Sequence, residues 1–171
     1  MFNIRFDSKT ETVQLVYPNE KIEILADNAP TEPVLSPDNT KAVYISPLEW
    51  EVFGSVYLVN LEDGTQEVIV EPENSYIPKN VIWYDNDHIL VIIGYGQGTV
   101  SVGGNIFAVN VKTKVKTQIT KYENDVQVTD LFIEGEHLKY IGIKYIDEML
   151  NESRIYENTM SLKSIKFKML F

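Results

Sequence analysis

The sequence predicts an all-β chain built from repeated antiparallel units, and three observations carry that reading. The stretch from Pro33 to Val70 is written again, loosely, from Lys79 to Thr120, and both copies run strand, acidic turn, strand, long loop, strand, polar turn, strand. The correspondence extends to particular residues: Val-Tyr-Leu-Val-Asn-Leu at 56–61 matches Ile-Phe-Ala-Val-Asn-Val at 106–111, which places Asn60 and Asn110 50 residues apart. A period of that size marks stacked or radially arranged supersecondary units. Finally, alternating or β-branched runs bounded by Gly, Pro, Asn and Asp dominate the chain, the pattern of short strands between turns.

Taken in order, Phe2 to Asp7, Thr12 to Tyr17 and Lys21 to Leu25 read as three strands of a partial unit spanning about 1–28. The first full unit, 33–71, places strands at 40–46, 55–61 and 66–70, with Glu-Asp-Gly-Thr at 62–65 as a tight hairpin turn. The second, 79–120, places them at 79–84, 88–94, 99–111 and 115–120, with Val-Lys-Thr-Lys at 111–114 in the corresponding turn. A weaker third copy, 126–168, has strands at 126–133 and 137–146, then a long connection to a third strand over Ser161 to Lys168. Asp147 to Glu157 is the most helical stretch, yet its amphipathic pattern is poor and it reads equally as an irregular loop. No linker or composition break divides the 171 residues, a length that fits one domain. Closure of the array requires either that Phe2 to Phe6 pair with a C-terminal strand at Ile165 to Leu170, or that an open sheet edge be left for a partner or a second copy.

The segments PVLSPDNTKAVYIS at 33–46 and SVYLVNLEDGTQEVIV at 55–70 resemble a blade of the TolB-like β-propellers. In that repeat a strand leads into Ser-Pro-Asp-Gly and an apolar strand ends in a Val-Asp-Leu-type sequence before a Gly-containing turn. Here Asn39 stands where Gly is usual, which Asn's tolerance of positive φ allows. In the second copy Trp83, Tyr84, Asp85 and Asn86 replace the Ser-Pro-Asp segment. The chain is also similar to an uncharacterised bacterial domain family of unknown function, in which a strand like Asn80 to Ile93 precedes a Gly-rich segment like Gly94 to Asn105. The resemblance implies a TolB-like partial or small β-propeller of three to four antiparallel blades, and it brings no catalytic residues.

The formal net charge is −10. All of that excess lies in residues 1–75, with 14 acidic and 4 basic side chains, while the remainder carries 11 of each. An acidic balance argues against nucleic acid as a partner, because phosphate backbones need a basic footprint. Cysteine is absent, which removes disulfides and thiolate metal sites. The longest aliphatic run, Ile89 to Ile93, is far short of the ~20 residues of a membrane helix. MFNIRFDSK at the N-terminus lacks the charged-then-apolar order of a signal peptide. The compartment is therefore open, with an extracytoplasmic location compatible with an export signal that has been removed.

Gly94, Gly96, Gly98, Gly103 and Gly104 are five of the nine glycines. A phosphate cradle would need a helix N-terminus or a Lys-Ser/Thr pair after them, but Thr99 to Val102 and another strand follow. That leaves a bulged inter-strand loop or a ligand-contacting loop. His88 and His137 each open the second strand of a repeat, 49 residues apart, so they fall in different units and do not converge on a metal. Asp85, Asn86 and Asp87 lack the alternation of a calcium loop. Glu49, Glu51, Asp125 and Asp130 read as surface carboxylates, and no Gly-x-Ser-x-Gly elbow is present. No cofactor is expected.

In a propeller the loop between the second and third strands opens on the same rim as the connection between blades. That rim would carry Trp50 and Phe53, then Tyr95 and Gln97, with Tyr76 and Tyr122 from the connections. Exposed aromatics with polar tips suit recognition surfaces, and the same rings also suit packing. The reading is a non-catalytic binding or scaffolding module for a protein or polymer, with Trp50, Tyr95 and Gln97 as ligand-binding residues. The alternative is a hydrolase using surface carboxylates on carbohydrate or peptide.

Overall fold

Fourteen strands build four antiparallel sheets in the computed structural model, which describes residues 1–167. Blade 1 is β1 (Asn3–Asp7), β2 (Thr12–Val16) and β3 (Ile22–Ala26). Blade 2 is β4 (Val34–Leu35), β5 (Lys41–Ser46), β6 (Ser55–Asn60) and β7 (Gln66–Val70). Blade 3 is β8 (Tyr76–Trp83), β9 (His88–Tyr95), β10 (Asn105–Asn110) and β11 (Lys116–Gln118). Blade 4 is β12 (Val126–Glu134), β13 (His137–Tyr145) and β14 (Ser153–Ser161). Strands within each blade pair in sequence order. No helix among the described residues is long and apolar enough to cross a membrane.

The blades stack face to face, and the sequence of β9 shows why. Successive strand residues point to opposite faces. In β9 Ile89, Val91 and Ile93 enter the core shared with blade 2, while Leu90 and Ile92 enter the core shared with blade 4. Burial on both faces is what converts alternation into the continuous apolar run from Ile89 to Ile93. Across blade 2, Val43 and Ile45 face blade 3, whereas Tyr44 joins Val13 and Leu15 of blade 1. Burial pushes the Tyr44 hydroxyl pKa up, and that hydroxyl donates to Gln66 Oε1. Along the inner strands, Trp83 Nε1 donates to the Val34 carbonyl at 2.8 Å, tying β8 to β4. Three cores thus join neighbouring blades, and among the described residues none joins blade 4 to blade 1. The fold is an open, partial β-propeller.

The repeated turns have a physical basis. Asn60 Oδ1 accepts from Glu62 N at 2.8 Å, and Asn110 Oδ1 accepts from Lys112 N and Thr113 N, each at 2.9 Å. Both hairpins then need a left-handed residue, supplied by Gly64 (φ 78°) and Lys114 (φ 64°). Asn39 adopts φ 60° in the place where the repeat usually carries Gly. The turn at 36–39 touches its counterpart, since Asp38 N donates to Asn86 Oδ1 at 3.0 Å.

Several expectations are corrected. The third strand of the last unit is β14 at Ser153–Ser161, followed by a short 3-10 turn at Leu162–Ser164; it is not Ser161 to Lys168, of which Lys168 lies outside the described residues. The Asp147 carboxylate accepts from Asn151 N and Glu152 N, closing a turn that returns the chain along β13. Asp147 to Glu157 is therefore neither helix nor wholly loop. Most of β14 is exposed, so it has no apolar alternation to read. The strand expected over 99–111 shrinks to Asn105–Asn110. Among the described residues β1 pairs with β2 alone, and Phe2 N donates to the Leu61 carbonyl of blade 2 at 2.9 Å. Ile165 packs in the core between blades 3 and 4, away from β1; the remainder of the expected Ile165 to Leu170 strand beyond 167 is outside the described residues.

The Asp38 carboxylate accepts from the Ser36 hydroxyl and from the Thr40 amide and hydroxyl, and these bonds draw its pKa down to about 2. A depressed folded-state pKa gives stabilisation that is complete above the unfolded value of about 3.9 and is lost as pH falls through about 2. Carboxyl-carbon NMR should find the Asp38 midpoint near pH 2; a midpoint near 4 would show that the turn is not held this way.

Candidate functional site

Two loops on one rim meet to form a groove of about 370 Å³. The first, 47–54, joins β5 to β6. A turn in which Val52 N donates to the Glu49 carbonyl, with Glu51 at φ 58°, pushes Trp50 outward between two carboxylates. The indole is 72% exposed. The second loop, 96–104, joins β9 to β10. Gly98, at φ 85°, carries the contact between the loops: its amide donates to Glu51 Oε1 at 3.0 Å, and its carbonyl accepts from Trp50 Nε1 at 3.5 Å. Phe53 packs on Gly96, where a Cβ would fall 2.8 Å from its ring. Leu48, Ile77 and Val102 supply the apolar wall.

Lys79 holds the second loop in place. It is the extra residue of a bulge in β8, between Pro78 opposite Ile93 and Asn80 opposite Ile92, and bulges re-aim a side chain. Its ammonium donates to the carbonyls of Tyr95 and Ser101, each at 2.7 Å, and Gly103 at 3.0 Å. Burial lowers its pKa to about 8, and the three carbonyl dipoles around the nitrogen oppose that pull, so it is an ammonium at neutral pH. Beyond it, Gly104 exchanges two backbone hydrogen bonds with Val128 of blade 4, and a Cβ on Gly104 would lie 2.1 Å from the Ile93 carbonyl oxygen. The glycine-rich segment thus serves mainly close backbone approach.

Of the residues expected to bind, Trp50 lines this groove. Tyr95 instead lines a second cleft, of about 180 Å³, with Tyr76 and Tyr122, and Ser101 borders both. Gln97 is exposed and accepts from the Tyr95 hydroxyl at 3.1 Å. Tyr76 is the first residue of β8 and meets Tyr95 edge to face at 5.8 Å. Tyr122 is structural, its hydroxyl bonded to those of Tyr140 and Tyr156. Lys79 escaped the sequence reading because nothing in an acidic chain marks one lysine as buried; the bulge that aims it is visible only in the register.

His88 sits with Nδ1 3.0 Å from Asp85 Oδ1 and its ring stacked on Phe167 at 4.0 Å, partly buried rather than open to solvent. His137 is exposed in blade 4. Among the described residues no group of three or more His, Cys, Asp or Glu is placed to hold a metal ion.

Replacing Lys79 with Met leaves three carbonyls without their donor; because these bonds are at most partly buried, the loss falls toward about 1 kcal/mol, the low end for an unsatisfied group. Lys79→Met should lower the thermal midpoint and raise amide exchange over 96–104. Protection unchanged from wild type would remove Lys79 from this role.

A family described as "Domain of unknown function (DUF4652)" matches residues 47–162, a span that contains both loops of the groove. No curated protein matches the chain. Among solved structures it is similar to a conserved protein of Clostridium novyi NT classed as a candidate lipoprotein, with 23% identity, a TM-score of 0.73, and 95% of this chain aligned to 96% of that one. It is also similar to oligopeptidase B from Trypanosoma brucei (15% identity, TM-score 0.60, 91% of this chain on 22% of that one). A prolyl endopeptidase gives 15% identity and a TM-score of 0.59, with 99% of this chain on 26% of that one. The chain spans about a quarter of each peptidase, and at these identities the likeness concerns the fold.

Proposed function

The chain belongs to the DUF4652 family, and we propose that it is a non-catalytic binding module whose rim takes an extended segment of a protein or other polymer. One observation carries this reading: an indole 72% exposed, bonded to the facing loop at the mouth of a groove walled by Leu48, Ile77 and Val102. Large aromatic side chains held on rigid loops are the usual anchors of recognition surfaces. Tyr95, in the neighbouring cleft, and Gln97, on the 96–104 loop itself, extend the surface. Hydrolysis by paired carboxylates is less well supported. Glu49 and Glu51 are both exposed, and Glu51 is committed to the Gly98 amide. Such a mechanism needs one carboxyl kept protonated, commonly by burial.

The description of the Clostridium novyi protein as a candidate lipoprotein supports an extracytoplasmic site of action. The outer edge of β14, unpaired among the described residues, supports in addition pairing with another chain, including a second copy.

Immobilised protein panned against a random-heptapeptide phage library, with Trp50→Ala as the counter-selection, tests the rim. Clones should bind the wild type and lose about 2 kcal/mol, roughly thirtyfold in affinity, on the variant. The variant's melting temperature should move no more than for an ordinary surface substitution. Clones indifferent to Trp50, or an unfolded variant, would make the indole structural and end this reading.

A further inference from the structure

Of the groove's charged groups, only the acidic ones are available to a ligand. Lys79, its lining cation, has its three donors spent on the carbonyls of Tyr95, Ser101 and Gly103, leaving none for an incoming anion. Its two carboxylates are differently placed. Among the described residues Glu49 has no side-chain partner, and Glu51 uses Oε1 for the Gly98 amide while Oε2 is unengaged. They flank Trp50 at the exposed turn, in the half of the chain that holds the whole excess of negative charge.

An open indole face beside two carboxylates is the arrangement that receives an ammonium or guanidinium, by attraction to the ring quadrupole and by charge-assisted hydrogen bonds. Apolar Leu48, Ile77 and Val102 then cover the residues on either side of the cation. We infer that the Trp50 groove recognises a lysine or arginine side chain flanked by apolar residues in an extended segment of a partner protein. This rests on the reading of the rim as a binding surface and names the chemistry of what binds there. An acidic peptide or a free anion would meet carboxylates with no available cation to answer it.

The test uses peptides of the form acetyl-Ser-Gly-Leu-Xaa-Leu-Gly-Ser-amide, with Xaa lysine, arginine, norleucine or glutamate, titrated calorimetrically into the whole chain at low and physiological salt. The lysine and arginine peptides should bind about tenfold tighter than the norleucine peptide, and the glutamate peptide most weakly. The preference should shrink as salt rises. Glu49→Gln combined with Glu51→Gln should reduce the lysine peptide to the norleucine level, since Gln keeps the acceptor for the Gly98 amide and removes only charge. Glu62→Gln combined with Glu136→Gln, in turns at the opposite ends of their strands, removes the same charge and should leave the preference intact. If both double variants weaken binding equally, the attraction belongs to net charge and the site is wrong. If binding depends on Trp50 but is blind to Xaa, the rim reading stands and the cation inference fails. No Trp50-dependent binding by any of the four peptides overturns the inference, while the phage selection judges the rim separately.

Discussion

Burial of β9 on both faces is the constraint from which the rest of the structure follows. Five consecutive apolar side chains, Ile89 to Ile93, alternate between two cores, and each needs another sheet against it. Blade 2 covers one face and blade 4 the other. Face-to-face stacking then fixes where the strand ends emerge, because every blade repeats the same up-and-down pairing. The loops that follow the second strand of blades 2 and 3 are brought side by side by this requirement, and the Gly98 bonds to Glu51 and Trp50 then join them.

On that frame the rim is built from backbone contacts. The 96–104 loop is fixed at its base by the Lys79 ammonium, at one flank by the bridge from Gly104 to Val128, and at its tip by Glu51 and Trp50. Glycines are required where the Gly104 backbone closes on Ile93. A loop tied at three points presents its neighbours in one arrangement, which lowers the entropic cost of binding. The groove is thus a junction between two blades, and neither blade would form it alone.

The ends of the array show what happens when the stacking stops. β13 sends Leu138 and Tyr140 into the core with blade 3, while Ile141 on its other face is 36% exposed, and Ile155 of β14 is 75% exposed. On blade 1, Thr12 and Gln14 alternate with the core residues Val13 and Leu15, and Arg5 donates to Gln14 at 2.8 Å. Both terminal faces therefore carry exposed apolar side chains among the described residues: on blade 1 Ile24, opposite Gln14, is 58% exposed beside its polar neighbours, and on blade 4 Ile155 stands open.

The sequence by itself determined the strand-turn rhythm, the equivalence of the two central blades, and their turns. These depend on local chemistry: Asn60 and Asn110 cap their hairpins, Asn39 tolerates a left-handed backbone, and β9 declares its double burial as an unbroken apolar run. Trp50 was legible as a rim residue because its place in the repeat is itself periodic. Tertiary structure alone decided the rest. β14 is exposed on most of its length, so only pairing with β13 makes it a strand, and 99–104 reads as strand until Gly103 and Gly104 are seen pressed against neighbouring backbone. The separation of Tyr95 from Trp50 is set by the path of the 96–104 loop, and the aiming of Lys79 at three carbonyls depends on a one-residue bulge in β8. A bulge changes no residue type, so composition and periodicity carry no trace of it; it exists only in the register between two strands.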